Sequence, residues 1–455
     1  MGEHAVVLGA SMGGLLAARV LRNHFRRVTV LERDPLPELG QHRKGVPQGH
    51  HAHALLARGA QSLEAFFPGL ISDLKMMGAQ VANVLRDGDF VIDGQRLPRQ
   101  GGDDMISVLC SRPLLEGYVR QRLMEEGVVR FRGRCEASGL LGDLATVRGV
   151  RLRDLNAEHG EEFLEAELVI DAMGRGSRFP TWLAEMGHRL PTQHSVQVDL
   201  GYVSASYRRA PGRMNDRLGA LLSVSPPGRR SGVALALDKD SFVVTLCGYL
   251  GEHPVADHAS MREFARGLPV QDIAQLLEGA EPLSEPVRFK YPRSRRVRYE
   301  RERGYPAGAI AFADSLCSFN PVYGQGMTVA ALEAERLDRL LARVEPFELP
   351  RRFYSEAARL LDGPWDMSTG ADLRFAEVEG PRSALDAIMN GYFARLVRAA
   401  RQHPPTARRL VRVLQLVDAP SALLAPAMIA RALFAGGAPR APLRLPGELS
   451  ISGVR

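Results

Sequence analysis

At 455 residues, 45% hydrophobic and 24% charged, the chain can bury a large core and is expected to form two or three domains. Its net charge of +7 is modest for the length and is carried almost wholly by arginine, so nucleic acid is not an expected partner. No apolar run reaches the roughly eighteen residues of a membrane helix, the first strand starts too early for a signal peptide, Val6 spoils a myristoylation site, and Cys110, Cys135, Cys247 and Cys317 form no C-x-x-C pair; the expectation is a cytoplasmic protein without membrane span, zinc or iron–sulfur centre.

Residues 5–34 read AVVLGASMGGLLAARVLRNHFRRVTVLERD. A buried parallel strand over 5–8 runs into a small-residue turn, an amphipathic helix follows, and a second apolar strand over 28–31 ends on Glu32. An acid about twenty residues past a glycine turn completes a dinucleotide fingerprint. Gly9 permits the sharp turn, Gly13 and Gly14 let helix and strand approach, and the helix that follows the turn aims free amides at a pyrophosphate. Glu32 can accept ribose hydroxyls, which favours FAD or NAD over NADP. Ser11 stands where the fingerprint has its middle glycine, so its Cβ pushes a phosphate outward while its hydroxyl offers a bond in return. Arg33 follows Glu32 along the same rim.

Residues 35–48 form a loop punctuated by Pro35, Pro37, Gly40 and Gly45, with Arg43, Lys44, Val46 and Gln48 close to the glycine turn as cofactor or substrate contacts. His50, His51 and His53 line the start of a helix over 52–67; no carboxylate or cysteine stands at ligand spacing, so no metal is expected. A hairpin over 79–91 and 94–97 turns at Asp93-Gly94. Ser111 caps a helix whose first turn takes Pro113, and Arg112 there is a candidate phosphate or flavin contact. A strand meander over 128–168 ends in LVIDAMGRGSR, where the strand stops at Asp171 and a turn containing Gly174 repeats the logic of the first motif.

From 179 to 303 apolar and polar residues alternate in strands at 196–208, 220–224, 233–237 and 242–249, an antiparallel sheet with one exposed face, and helices follow at 260–267 and 271–278. Val196, Val198, Leu200, Leu222, Val233 and Leu235 offer one apolar wall, to substrate or to the core. The arginine-rich stretch 288–303 reads as a solvated strand face. A buried strand over 308–314 then ends at Asp314, and a loop with Pro321, Gly324, Gln325 and Gly326 leads into a helix over 327–344. Its free amides, from Met327 onward, suit an anion or an electron-rich oxygen. Helices at 350–361, 384–401, 407–417 and 423–434 are expected to pack on the core.

Three stretches in this order carry a resemblance: the glycine turn with Glu32, then Asp171-Ala-Met-Gly174-Arg-Gly-Ser177, then Ala313-Asp314 with Pro321-x-x-Gly324-Gln-Gly326. Together they resemble the class A FAD-dependent monooxygenases of the para-hydroxybenzoate hydroxylase-like fold, over about residues 1–345. Arg43-Lys-Gly-Val-Pro-Gln48 with His51-Ala-His53 is most similar to the bacterial epoxidases of polyether-type polyketides. The resemblance implies an α/β fold: a Rossmann-like FAD domain in three parts (1–78, 101–178, 304–345), a substrate hairpin (79–100), an inserted antiparallel substrate sheet (179–303) and a C-terminal helical region (346–455). It implies that Gly9, Ser11, Met12, Gly13, Gly14, Glu32 and Arg33 hold the ADP half of FAD, with Arg43, Lys44, Val46, Gln48 and Arg112 adding contacts. Asp171 and Gly174 match the second motif, where D-A-M-G replaces the usual D-G and puts transient NAD(P)H binding in doubt. Asp314 would hold the ribityl or pyrophosphate part, with Ala313 where the family has glycine. Pro321, Gly324, Gln325, Gly326 and Met327 would lie beside the flavin.

The chemistry implied is epoxidation or hydroxylation of a largely apolar, polyketide-like natural product by a flavin C4a-hydroperoxide formed with O2. No second fingerprint exists for a nicotinamide, so NAD(P)H would act directly or through a separate flavin reductase. Oxygen transfer needs no protein nucleophile, and no catalytic side chain is named. A reductase of isoprenoid double bonds, similar to geranylgeranyl reductases, is the alternative. A flavin halogenase lacks support because Trp182 and Trp365 are isolated; a flavin-binding protein without turnover is the remaining class.

Overall fold

In the computed structural model the described residues run from Gly2 to Ala435, excepting 44, 46, 102–104, 126, 157–159 and 303. The architecture is mixed α/β: a Rossmann-like parallel sheet, separate antiparallel sheets and C-terminal helices. The parallel sheet has five strands in the order Ala309–Ala311, Leu168–Asp171, Gly2–Leu8, Phe25–Leu31, Val129–Arg132. Its interior strands are apolar on both faces because helices cover one side and the strands of 135–154 the other; Val6, Val7, Val28, Val169 and Ile310 are fully buried. The helices Met12–Leu21 and Gly326–Leu341 pack on each other and share this core.

Strands Cys135–Gly142, Val147–Asp154 and Glu161–Glu165 form the expected antiparallel meander, while the neighbouring segment Val129–Arg132 joins the parallel sheet instead. An eight-stranded sheet is built around Gln193–Arg208, which pairs with Val287–Val297 on one side and Ser241–Tyr249 on the other. Arg230–Ala236, Gly219–Leu222, Gly88–Ile92 and Gln95–Arg96 extend it in that order beyond Ser241–Tyr249, and Cys317–Ser318 pairs with the far side of Val287–Val297. Helices His258–Arg266 and Asp272–Leu277 cover one face through Met261, Phe264, Ile273 and Leu277. Helices Leu349–Asp372, Ala384–Gln402, Pro404–Leu414 and Pro426–Phe434 close the molecule. Among the described residues no helix is long and apolar enough to cross a membrane.

Four local expectations are corrected. The stretch 79–91 is not one strand: Asn83 caps a helical turn, Val84–Asp87, by accepting from the Arg86 amide at 3.0 Å. The part before it, Gln80–Asn83, pairs with Ile106–Leu109 in a three-stranded sheet, and only Gly88–Ile92 and Gln95–Arg96 make the hairpin. The helix predicted from 52 starts at Ala57, because Ala54–Leu55 first pairs with Ile106–Leu109. Ser111 spends its hydroxyl and its amide on Asp238, at 3.3 and 2.6 Å, rather than on its own helix. The stretch 288–303 is only partly a solvated face: Arg296 is fully buried and donates to Ala358 O at 2.9 Å and to Asp362 at 2.8 Å.

Two glycines separate close approach from idle flexibility. A Cβ on Gly14 would collide with the Gly9 carbonyl oxygen, whereas a Cβ on Gly391, inside the helix Ala384–Gln402, meets nothing within 4 Å. Gly391→Ala should therefore raise stability by about 0.5–1 kcal/mol, and Gly14→Ala should lower it by about 1–3 kcal/mol or more. Chemical denaturation of both variants checks the signs.

Candidate functional site: a cleft between two helix starts

The parallel strands end level. Register runs Arg132–Leu31–Leu8–Asp171–Ala311 across the sheet, so the segments after Leu8, Asp171 and Ala311 open on one edge. Each of those three turns contains a residue with positive φ: Gly9 at 101°, Gly174 at 75° and Ala313 at 55°. Above this edge a continuous cleft of about 1860 Å³ extends to the eight-stranded sheet and the C-terminal helices.

Its walls bring together Gly9, Ser11, Met12, Gly13, Glu32, Arg33, Arg43, Gln48, Arg112, Gly174, Asp314, Pro321, Gly324, Gln325, Gly326 and Met327. Gly14 and Asp171 are not among the lining residues. Gly14 is spent on backing the Gly9 turn. Asp171 is fully buried, accepting from the Met173 amide at 3.0 Å and the Ser177 hydroxyl at 2.7 Å, so it braces the second turn from behind. Burial pushes its carboxyl up to about 6 despite those bonds. Lys44 and Val46 lie outside the described residues.

At one end, the helix Met12–Leu21 begins without a side-chain cap. Ser11 instead accepts from Arg112 Nη2 at 3.1 Å, so the extra hydroxyl of the fingerprint is tied to a guanidinium at the helix start. Arg112 also pairs with Glu116, and Arg43 bridges Glu116 and Glu32 at 2.7 Å each. Burial opposes the charge on Glu32, but Arg43 and the amides of Ala10 and Asp34 outweigh it and hold the carboxyl below its ordinary range. Glu32 thus meets the cleft with both oxygens already engaged.

The other end is built by the second long helix. Gly326–Leu341 also starts without a side-chain cap, and buried Gln325 Oε1 has no partner among the described residues. Asp314 faces this start from the open side of the cleft, where crowding by the walls pushes its carboxyl up and Arg112, Arg175 and Arg295 draw it down. Pro321–Tyr323 forms a short turn capped by Asn320, whose Oδ1 accepts from the Val322 amide at 3.1 Å. Tyr323 donates to buried Asp372 at 2.9 Å. Two uncapped helix starts with a carboxylate and a glycine turn between them are the donor set an extended dinucleotide requires.

The floor of the cleft is the eight-stranded sheet. Phe289, Tyr202, Cys247 and Ser231 form one cross-strand row that faces it. Val196, Leu222, Val233 and Leu235 line it as expected, but Val198 and Leu200 do not. They pack in one cluster with Val196, Tyr249 and Val378, beside a break in strand pairing between Gln197 and Leu200. His51 and His53 reach the wall; His50 stacks on His42 at 3.8 Å instead. His51 bonds Ser204 at 2.7 Å, and burial drives the two imidazoles down to about 3 and about 4, so both are neutral.

Sequence reasoning missed Glu333. It is fully buried in the helix Gly326–Leu341 and accepts from the Ala313 amide at 2.8 Å. One signal was available: Glu333 sits in the apolar stripe of Ala330, Ala334 and Leu337, where a charge has no solvent to face. Tyr323 and Asp372 carried no such signal.

The fold is one shared with solved structures of flavin-dependent proteins. PqsL, a probable FAD-dependent monooxygenase from Pseudomonas aeruginosa, superposes with a TM-score of 0.61 at 17% identity, over 82% of this chain and 99% of that one. The flavin-dependent brominase Bmp2 gives 0.65 at 15% over 94% and 98%. A flavoprotein/dehydrogenase from Cytophaga hutchinsonii gives 0.68 at 16% over 96% and 98%. At such identities the likeness is one of fold. No family model matches the chain. Protein Rv3254 of Mycobacterium tuberculosis is 31% identical over 432 residues, 91% of this chain and 90% of its own length. The chain belongs to the family of that mycobacterial protein.

Burial pushes Glu333 up to about 8, above its ordinary 4.5. A raised folded-state carboxyl favours folding while both states are protonated and loses that advantage as pH rises from the unfolded value to the folded one. Glu333→Gln should therefore gain stability relative to the wild type between about pH 4.5 and about 8. Melting temperatures of both proteins at pH 5 and pH 8 check this: the difference must move in favour of glutamine at the higher pH.

Proposed function

We propose that the chain is an FAD-dependent monooxygenase that epoxidises or hydroxylates a largely apolar, polyketide-like natural product. The observation that carries this reading is the single cleft of about 1860 Å³ joining two uncapped helix starts to an apolar sheet floor. Pockets for one small ligand occupy about 300–1,000 Å³, so cofactor and substrate have room side by side.

In this reading Gly9, Ser11, Met12 and Gly13 take the pyrophosphate against the first helix start, with Gly14 and Asp171 shaping the turns from behind. Glu32, Arg33, Arg43, Lys44, Val46 and Gln48 take the adenosine end. Arg112, Gly174 and Asp314 flank the middle of the cofactor, and Pro321, Gly324, Gln325, Gly326 and Met327 its ring. The partition into a three-part cofactor domain, an inserted substrate sheet and a helical region belongs to the same reading.

When bound, FAD supplies acceptance of hydride from NADH or NADPH, directly or by way of a flavin reductase, and the transfer of one oxygen atom from O2. The protein's part is electrostatic and steric. The start of the helix Gly326–Leu341 stabilises negative charge placed against it. Val196, Leu222, Val233, Leu235 and Phe289 hold an apolar substrate and keep water away. Neutral His51 and His53 offer hydrogen bonds without adding charge.

Purified protein should show absorption bands near about 370 and about 450 nm from bound flavin. Adding NADH or NADPH in air, with and without a flavin reductase, separates the electron routes. Bleaching with O2 uptake supports the monooxygenase, and stable reduction without O2 uptake indicates a double-bond reductase instead. A protein that neither contains nor binds FAD overturns the reading. Arg112→Met should weaken FAD binding about tenfold or more, the scale of a hydrogen bond to a charged group, measured by flavin fluorescence.

A further inference from the structure

Ala313 holds φ at 55°, a left-handed conformation that disfavours any residue with a Cβ. Its Cβ abuts Gly13: a Cβ added there would lie 2.7 Å away. The strand Ala309–Ala311 and its partner Leu168–Asp171 both end before this point, so no sheet partner takes the Ala313 amide. Glu333 takes it, at 2.8 Å, with no exposure to solvent.

Glu333 lies seven residues, two helical turns, beyond Gly326, so both project from the same face of one helix. Gly326 faces Asp314: a Cβ there would lie 3.7 Å from Asp314 Oδ1. One helix thus touches the Ala313-Asp314 turn twice, at its amide and at its carboxylate. A buried carboxyl with a second oxygen unpartnered among the described residues is costly, and an apolar side chain would fill the site at less cost.

We propose that Glu333 is a positioning residue for the cofactor: by holding the Ala313 amide it keeps that alanine left-handed and so aims Asp314 into the cleft. The proposal rests on the FAD reading above. It assigns a purpose to the departure at 313, where a glycine would adopt the turn unaided.

The test uses the full chain, stripped of flavin and titrated with FAD, following protein and flavin fluorescence. Glu333→Leu should weaken FAD binding about 5- to 30-fold, the range for holding a residue with a Cβ in the left-handed conformation unaided. Glu333→Gln, which still accepts the amide proton, should stay within about threefold. The double variant Glu333→Leu/Ala313→Gly should recover most of the lost affinity, because glycine needs no clamp. A merely structural role would lower the melting temperature while leaving the affinity of the folded fraction unchanged, and Ala313→Gly would restore nothing.

Should the leucine variant fail to fold, Ala313→Val keeps Glu333 but resists the left-handed turn, and must itself weaken FAD binding. Wild-type affinity in either Glu333→Leu or Ala313→Val overturns the proposal, as does failure of Ala313→Gly to rescue. A wild type that binds no FAD overturns the cofactor reading and the proposal with it; a wild type that binds FAD beside insensitive variants overturns the proposal alone.

Discussion

The level ending of the parallel strands is the constraint on which the rest depends. Leu8, Asp171 and Ala311 stand in register, so three chain segments far apart in sequence turn at one edge. A parallel sheet leaves the next amides beyond such an edge without ladder partners. The protein answers differently at each turn. The Ala10 amide takes Glu32, the Met173 amide takes Asp171 and the Gly174 amide takes Ser315, and the Ala313 amide takes Glu333. Everything placed above the edge inherits its position from these bonds.

Much of this was legible in the sequence. The apolar runs, the glycine turn and the acid at 32 give strand–turn–helix–strand, and the alternation from 196 to 249 gives an antiparallel sheet, because both patterns record burial directly. What stayed hidden depended on partners distant in the chain. The helical turn at 84–87 interrupts a stretch that reads as strand because Asn83 caps it and Ile106–Leu109 captures the part before it. Asp171 reads as a ligand group, yet it faces inward because Ser177 folds back onto it. Val198 and Leu200 share the pattern and the cluster of Val196 but do not reach the cleft, beside the place where strand pairing slips.

Charge follows the same logic. The arginine excess looks like a surface property, and much of it is: Arg208 with Glu281 and Arg153 with Glu136 are exposed pairs of small worth. Around the cleft, arginine acts instead as a buried connector. Arg43 is 7% exposed and joins Glu32 to Glu116, and Arg112, as buried, carries the chain on to Ser11. A planar guanidinium can serve two carboxylates at fixed angles, which a lysine ammonium cannot do as well. Removing one member would leave its partner buried and uncompensated, so the Glu32 end of the cleft is braced by its own side chains.

The C-terminal helices complete the site. Asp372, at the last position of the helix Leu349–Asp372, is fully buried and accepts from Asn320 at 3.0 Å and Tyr323 at 2.9 Å. Those two residues bracket Pro321, at the second uncapped helix start. Burial raises Asp372 to about 7, against the pull of Asn320, Tyr323 and Tyr249. A carboxyl would not be kept there for stability alone, since hydrophobic packing does that at lower cost. Its place is explained by what it holds: one oxygen pair fixes the loop to the helix and, through the 3.1 Å bond between Asn320 and Tyr249, to the sheet floor. The loop at the second helix start and the eight-stranded floor of the cleft therefore share one anchor, supplied by a part of the chain whose own sequence gives no hint of a site.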